Sequence, residues 1–208
     1  MFITFEGIDL CGKSTQVKLL YDYLLKNKKK VVLVREPGGT LISEKIRNIL
    51  LDKANSKMKY ITEFLLFSAS RHQLTEEIIK PLLKKKYIVI CDRYYDSSTA
   101  YQGYGGKIDL KIISRINKLA SGNLVPDLSF LIDINYDENI KRRKLSGKRH
   151  DRIEQKEKDY YRKVITGYRT LAKLNRKRFR VLNGKSNIEL IHKNILEILK
   201  KQKVISKI

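Results

Sequence analysis

The chain opens on FITFE (2–6), a short apolar run that meets a glycine at its end. Gly7 and Gly12 bracket four residues, and Lys13 and Ser14 follow at once. From Lys13 to about Lys28, apolar Val17, Leu19, Leu20, Leu24 and Leu25 recur at helical spacing. A strand, a glycine-bracketed turn and a helix in immediate succession restrict the fold more than any other feature. Glycines let the backbone turn so that successive N–H groups point inward, and the helix opening at Lys13 adds the positive end of its dipole.

Gly-x-x-x-x-Gly-Lys-Ser between a strand and a helix is the P-loop pattern. Gly7, Ile8, Asp9, Leu10, Cys11, Gly12, Lys13, Ser14 and Thr15 are therefore expected to cradle a nucleoside triphosphate. Lys13 would meet the β- and γ-phosphates as a point charge, and the Ser14 hydroxyl would ligate Mg²⁺.

The rest of the chain alternates in the same way. VVLVR (31–35), YIVICD (87–92), LSFLID (128–133) and RFRVLN (178–183) read as further strands, the third-strand run being apolar enough for burial on both faces. Helical patterns occupy roughly 41–52, 58–72, 74–86, 109–120, 155–176 and 187–201. This is an α/β chain: five parallel strands flanked by helices, expected as a single domain over 1–208. The basic stretch KRRKLSGKRHDR (141–152) is expected to be a mobile loop within that domain, a lid, rather than a boundary.

Composition narrows the class. At 42% apolar and 32% charged residues, the chain is globular rather than disordered. No apolar run approaches the roughly 20 residues that cross a bilayer, and the N-terminus does not read as a secretory signal. Cys11 and Cys91 have no framework spacing, which fits a reducing cytoplasm. The net charge of +23 raises the question of nucleic acid. The Lys and Arg residues are spread along the chain, however, and no zinc-finger spacing or aromatic RNA-binding motif accompanies them. A solvated basic surface that attracts anionic small molecules is the reading taken, with no nucleic-acid or membrane partner.

A P-loop alone names no reaction. GTPases, motor ATPases and small-molecule kinases all carry one, so the question is whether the remaining residues build an acceptor site. The guanine motif Asn-Lys-x-Asp is absent, since Asn117-Lys118-Leu119 ends in Ala120. Asp92, ending the third strand, stands where a metal-side carboxylate belongs, and the fork of Arg93 suits bridging phosphates. Ser97, Ser98, Tyr101 and Gln102 follow. Glu36 lies just past the second strand, at the end of a parallel sheet where ligands bind. Phe67 and Arg71 are four apart and share a helix face, offering a ring and a guanidinium to a flat base. Arg47 lies on the helix after the Gly38-Gly39 turn. Taken singly, each has a plain alternative as core or surface.

Together, GIDLCGKST, REPGGT, EFLLFSASRHQ (63–73) and DRYYDSSTAYQGYG (92–105) resemble the signature blocks of the thymidylate kinase (dTMP kinase) family, and the likeness runs nearly end to end. The resemblance implies a five-stranded parallel sheet, a homodimer, and transfer of phosphate from ATP to dTMP with Mg²⁺. It implies that Asp9 meets the 3′-hydroxyl of the acceptor sugar, and that Glu36 and Asp92 organise Mg²⁺, mostly through water. Arg47 and Arg93 would hold the acceptor phosphate. Phe67 would stack on thymine while Arg71, Ser98 and Gln102 address its edge, and Tyr101 would disfavour a ribose 2′-hydroxyl.

The acceptor phosphate, with a second pKa near 6, is largely dianionic at neutral pH, so no general base is required. Catalysis then falls to Lys13, Mg²⁺ and arginines, and His72, His150 and His192 are assigned no chemistry. Some relatives place an arginine two residues before the second loop glycine. Here that position is Leu10, so the chain resembles the bacterial-like type that supplies the arginine from its lid. Of Arg142, Arg143, Arg149 and Arg152, Arg149 and Arg143 are the leading candidates. Cys11, beside Lys13 at a helix N-terminus, is expected to be a reactive thiol. The alternatives are a nucleoside monophosphate kinase with another base choice, a P-loop ATPase working with nucleic acid, and a binding protein without turnover, against which Lys13, Asp92 and Glu36 all stand.

Overall fold

The computed structural model describes residues 1–147, 151–153 and 156–205. Its five strands are β1 (Phe2–Glu6), β2 (Val31–Arg35), β3 (Ile88–Asp92), β4 (Leu128–Asp133) and β5 (Phe179–Asn183). All pair in parallel, in the order β2-β3-β1-β4-β5. The parallel five-stranded sheet is thus as expected. The helices are α1 (Lys13–Lys26), α2 (Leu41–Leu51), α3 (Tyr60–Leu74), α4 (Lys80–Lys84), α5 (Tyr95–Ser98), α6 (Leu110–Ala120), α7 (Tyr136–Ser146), α8 (Lys158–Leu174) and α9 (Ile188–Lys201). A π-helical turn, Thr75–Ile79, joins α3 to α4, and a second, Thr99–Gly105, continues α5.

β1 is buried along its whole length, which explains its apolar character on both faces. Its alternate side chains feed two cores. Ile3 and Phe5 pack with Leu20 and Leu24 of α1, Phe130 of β4 and Ile195 of α9, whereas Phe2 packs with Leu74, Ile79, Val89 and Tyr94. The outer strands β2 and β5 carry exposed positions, as edges do.

Two segments depart from expectation. Residues 141–146, read as part of a loop, form the end of α7. The Asn135 side chain caps that helix on the Glu138 N–H at 3.0 Å, Asp137 and Glu138 occupy its first turn, and Arg143 and Lys144 its last, complementing the helix dipole at both ends. Residues 95–105, left without an element, are helical.

The register aligns the carboxyl ends of the strands. Phe5 and Arg35 both stand opposite Asp92, Glu6 opposite Leu131, and Asp133 opposite Asn183. The segments that leave these ends, 7–12, 36–40 and 93–98, therefore emerge side by side.

Candidate active site

The loop after β1 is shaped by its backbone. A Cβ on Gly7 would lie 2.6 Å from the Ile132 carbonyl oxygen and 2.9 Å from Cys11 Sγ, so only glycine fits there. Leu10 adopts φ 59°, a left-handed conformation that costs a branched residue roughly 1–2 kcal/mol. The first turn of α1 has no side-chain cap, in contrast to α2, α6, α7 and α9. Its N–H groups remain for an anionic ligand.

Asp92 meets this loop from β3. Ser14 Oγ donates to Asp92 Oδ2 at 2.9 Å, and Lys13 Nζ lies 3.9 Å from Oδ1. Asp92 Oδ1 and Glu36 Oε1 are buried oxygens with no hydrogen-bond donor of their own. Among the described residues no three His, Cys, Asp or Glu converge as a metal cage. A hydroxyl and carboxylate oxygens nevertheless fit Mg²⁺, which is commonly held by one or two carboxylates together with substrate phosphates and water.

Arg93 has φ 72°, and its guanidinium folds back over the loop. One nitrogen donates to the Gly7 carbonyl (2.8 Å) and the Tyr168 hydroxyl (3.0 Å), the other to Asp9 Oδ1 (2.7 Å) and the Tyr101 hydroxyl (3.3 Å). Tyr101 in turn donates to Asp9 Oδ2 at 3.1 Å. Burial raises the Asp9 carboxyl, but the Arg93 and Lys13 charges outweigh it and hold the group at about 2. Asp9 is consequently an anion throughout the working range.

Below this set lies Glu6, fully buried, which accepts from the Tyr94 N–H (2.9 Å) and from Ser97 Oγ (2.6 Å). Burial and the neighbouring Asp96 push its carboxyl well above the usual range. Glu6 escaped the sequence reading, although a charge ending a continuous apolar strand was its signal.

Glu36 forms a buried pair with Arg71, Nε to Oε2 at 2.9 Å. Burial pushes the Glu36 carboxyl up to about 7 even against the Arg71 charge. The other Arg71 nitrogens donate to Asn117 Oδ1 (2.8 Å) and Ser98 Oγ (2.7 Å). Asn117 serves Arg71 from α6, which accounts for an asparagine that only starts a guanine motif. Arg47 donates to the Pro37 carbonyl at 2.8 Å.

These side chains surround one open cleft. Asp9, Glu36, Arg47, Phe67, Arg71, Arg93, Ser97, Ser98, Tyr101 and Gln102, all ten proposed acceptor residues, line it. Pro37, Leu51, Tyr94, Asp151 and Ile153 complete the wall, and none was assigned a role from the sequence.

The arginines of 141–152 separate. Arg142 is occupied by Glu138 and by the carbonyls of Leu10 (3.3 Å), Cys11 (3.1 Å) and Gly184 (2.7 Å), tying α7 to the phosphate loop. Arg152 is buried, pairing with Glu63 at 2.7 Å and donating to the Leu50 carbonyl at 2.8 Å. Arg143 lies over the Tyr161 ring, 4.5 Å from its centroid. Arg149 and His150 lie outside the described residues.

The expectation for Cys11 is corrected. The residue is 1% exposed, and burial raises its thiol despite Lys13 nearby, so the loop encloses the sulfur instead of presenting it.

The thymidylate kinase family model matches residues 5–195, spanning the phosphate loop, the cleft and strands β2 to β5. The chain belongs to the thymidylate kinase family. It is 46% identical to a thymidylate kinase of Sulfurihydrogenibium sp. (strain YO3AOP1), covering 98% of both chains. It is 45% identical to a thymidylate kinase of Kosmotoga olearia, covering 95% of this chain and 94% of that one. Among solved structures, the thymidylate kinase of Ehrlichia chaffeensis superposes with a TM-score of 0.78 at 39% identity, covering 96% of this chain and 98% of that chain. Thymidylate kinases are nucleoside monophosphate kinases, so membership places this chain among the phosphotransferases and sets aside the nucleic-acid ATPase alternative. No helix among the described residues is long and apolar enough to cross a membrane.

Proposed function

We propose that the protein transfers the γ-phosphoryl group of ATP to the phosphate of dTMP, giving ADP and dTDP, with Mg²⁺. The observation that carries this reading is the meeting of the two halves. The phosphate loop and the acceptor cleft share Asp9 and Arg93, so a nucleotide in the cleft directs its phosphate at the donor end of the loop.

The roles follow from chemistry. Lys13 neutralises the donor phosphates, with the uncapped N–H groups of α1. Ser14, Asp92 and Glu36 would hold Mg²⁺, which supplies charge neutralisation between the phosphates. Arg47 and Arg93 orient the acceptor phosphate, whose dianion attacks without a general base. The permanently ionised Asp9 accepts from the sugar 3′-hydroxyl, and Tyr101 crowds a 2′-hydroxyl. Phe67 stacks on the base while Arg71, Ser98 and Gln102 face its edge, with Ser97 supporting Arg93 at 3.2 Å. An arginine of 141–152 neutralises the transferring group. Arg143 and Arg149 are the candidates.

The protein acts in the cytoplasm as a homodimer. In support, α2 and α3 leave Leu41, Ile42, Ile49, Ile61 and Leu65 exposed on neighbouring surfaces, an apolar area that a second copy would cover.

The test is ADP formation with ATP, Mg²⁺ and each of dTMP, dUMP, ribosyl TMP, dCMP, AMP and GMP. A rate with dTMP well above the others is expected. ADP release without any acceptor, stimulated by DNA or RNA, would overturn the reading.

A further inference from the structure

Glu63 is a fully buried carboxylate on α3, outside the cleft lining yet one contact away from it. It accepts three donors. Gln102 Nε2 lies 2.9 Å away, Arg152 Nη1 2.7 Å and Lys156 Nζ 3.5 Å. The Lys156 ammonium is itself held over the rings of Tyr60 (3.9 Å) and Tyr160 (4.9 Å). Phosphoryl transfer as described above makes no use of this buried cluster.

The chemistry of the pair is one-sided. An ionised carboxylate only accepts hydrogen bonds, whereas a glutamine amide carries a donor end and an acceptor end. With Glu63 beside it, Gln102 must turn its NH₂ to the carboxylate, which leaves the carbonyl oxygen as its group for the cleft that the residue lines. Arg71, on the same wall, offers only donors. The base edge that complements a fixed donor and a fixed acceptor carries a carbonyl oxygen and an N–H. Thymine and uracil have that edge. Cytosine has an amino donor and a ring-nitrogen acceptor instead.

We propose that Glu63 is a positioning residue for base selection, fixing the Gln102 amide so that the cleft presents an acceptor and admits an imide base over cytosine. The same carboxylate anchors Arg152, and with it the 151–153 segment whose Asp151 and Ile153 form part of the cleft wall. One buried charge thus sets both the polarity of the base-reading amide and the position of a wall. The inference rests on the cleft being the dTMP site.

The test compares kcat/KM for dTMP and dCMP, which share sugar and phosphate and differ at the base edge. In Glu63→Gln the neighbour can donate or accept, so the Gln102 amide is free to turn. The dTMP-to-dCMP ratio is expected to fall at least tenfold, mainly through KM, with kcat for dTMP largely kept. In Gln102→Leu the ratio should fall as far, and adding Glu63→Gln to that variant should lower it no further. A Glu63→Gln variant that loses both acceptors equally would reduce Glu63 to a structural role and overturn the proposal. An unchanged ratio in Gln102→Leu would overturn it even where Glu63→Gln fails to fold. A wild-type protein inactive with dTMP would instead remove the reading of the cleft itself, and the two failures are distinguishable.

Discussion

At Cys11 and Glu36 burial outweighs the nearby positive charge, whereas at Asp9 the charge wins. Cys11 illustrates the first case: next to a lysine and a helix N-terminus, its thiol is nevertheless raised because it is enclosed. Neither Cys11 nor Cys91 should react with a colorimetric thiol reagent in the native protein faster than the chain unfolds. Rapid labelling of one thiol per chain in folded protein would contradict the geometry. Glu36 gives a pH-dependent counterpart. Its carboxyl is raised to about 7 in the fold, so the folded state keeps a proton that the unfolded chain releases near the ordinary carboxylate range. The stability linked to that proton is fully present below about pH 4.5 and is lost as pH rises through about 7. From pH 5 to pH 8 the ligand-free wild type should therefore lose about 2–3 kcal/mol of stability relative to Glu36→Gln, which has no proton to release. Denaturant titrations at the two pH values check it, and a wild type that gains stability relative to the variant refutes the assigned direction.

At the scale of elements, the packing of α8 on the 99–105 turn positions Tyr101 and Gln102. Close approach there depends on absent side chains: a Cβ on Gly167 would lie 2.8 Å from Cγ and Cδ2 of Tyr104. Helix propensity alone favours alanine over glycine by about 1 kcal/mol. Overpacking should win, so Gly167→Ala is expected to lower stability by about 1–3 kcal/mol and raise KM for dTMP more than KM for ATP. A stabilised variant in a urea melt would show that propensity dominates. This element also marks where the sequence stopped being legible. The strands were readable because their apolar runs are short and bounded, and α1 because Val17, Leu20 and Leu24 repeat at its period. YDSSTAYQGYG shows no such period, since Ser98, Tyr101 and Gln102 there serve the cleft and the partners of Arg71 and Glu63. α7 hid for the opposite reason: YDENIKRRKLS has few apolar residues, and among its buried contacts is Asn139, whose amide donates to the Asp9 carbonyl.

For the molecule as a whole, nine of the ten acceptor residues could be named from motif blocks and Arg47 from the helix after one of them, but their convergence depends on the strand order, which no local pattern encodes. Glu6, Glu63 and Arg142 were not assigned, because the partners that give them meaning lie 39 to 162 positions away. The exposed apolar residues of α2 and α3 lead to an expectation at this scale. Sedimentation should give a dimer, and Ile61→Glu with Leu65→Glu should give a monomer that retains its fold by circular dichroism. A wild-type monomer at micromolar concentration would remove the proposed assembly. The strand order has one more consequence, for the chain as it is made. β1, the central strand and the base of the phosphate loop, leaves the ribosome before the other strands, yet its neighbours are β3 and β4. About 80 residues of synthesis, on the order of 4–16 s, separate it from its first partner. During that interval FITFE is an apolar segment with nothing to pair against, and it is the stretch of the nascent chain that a chaperone would meet.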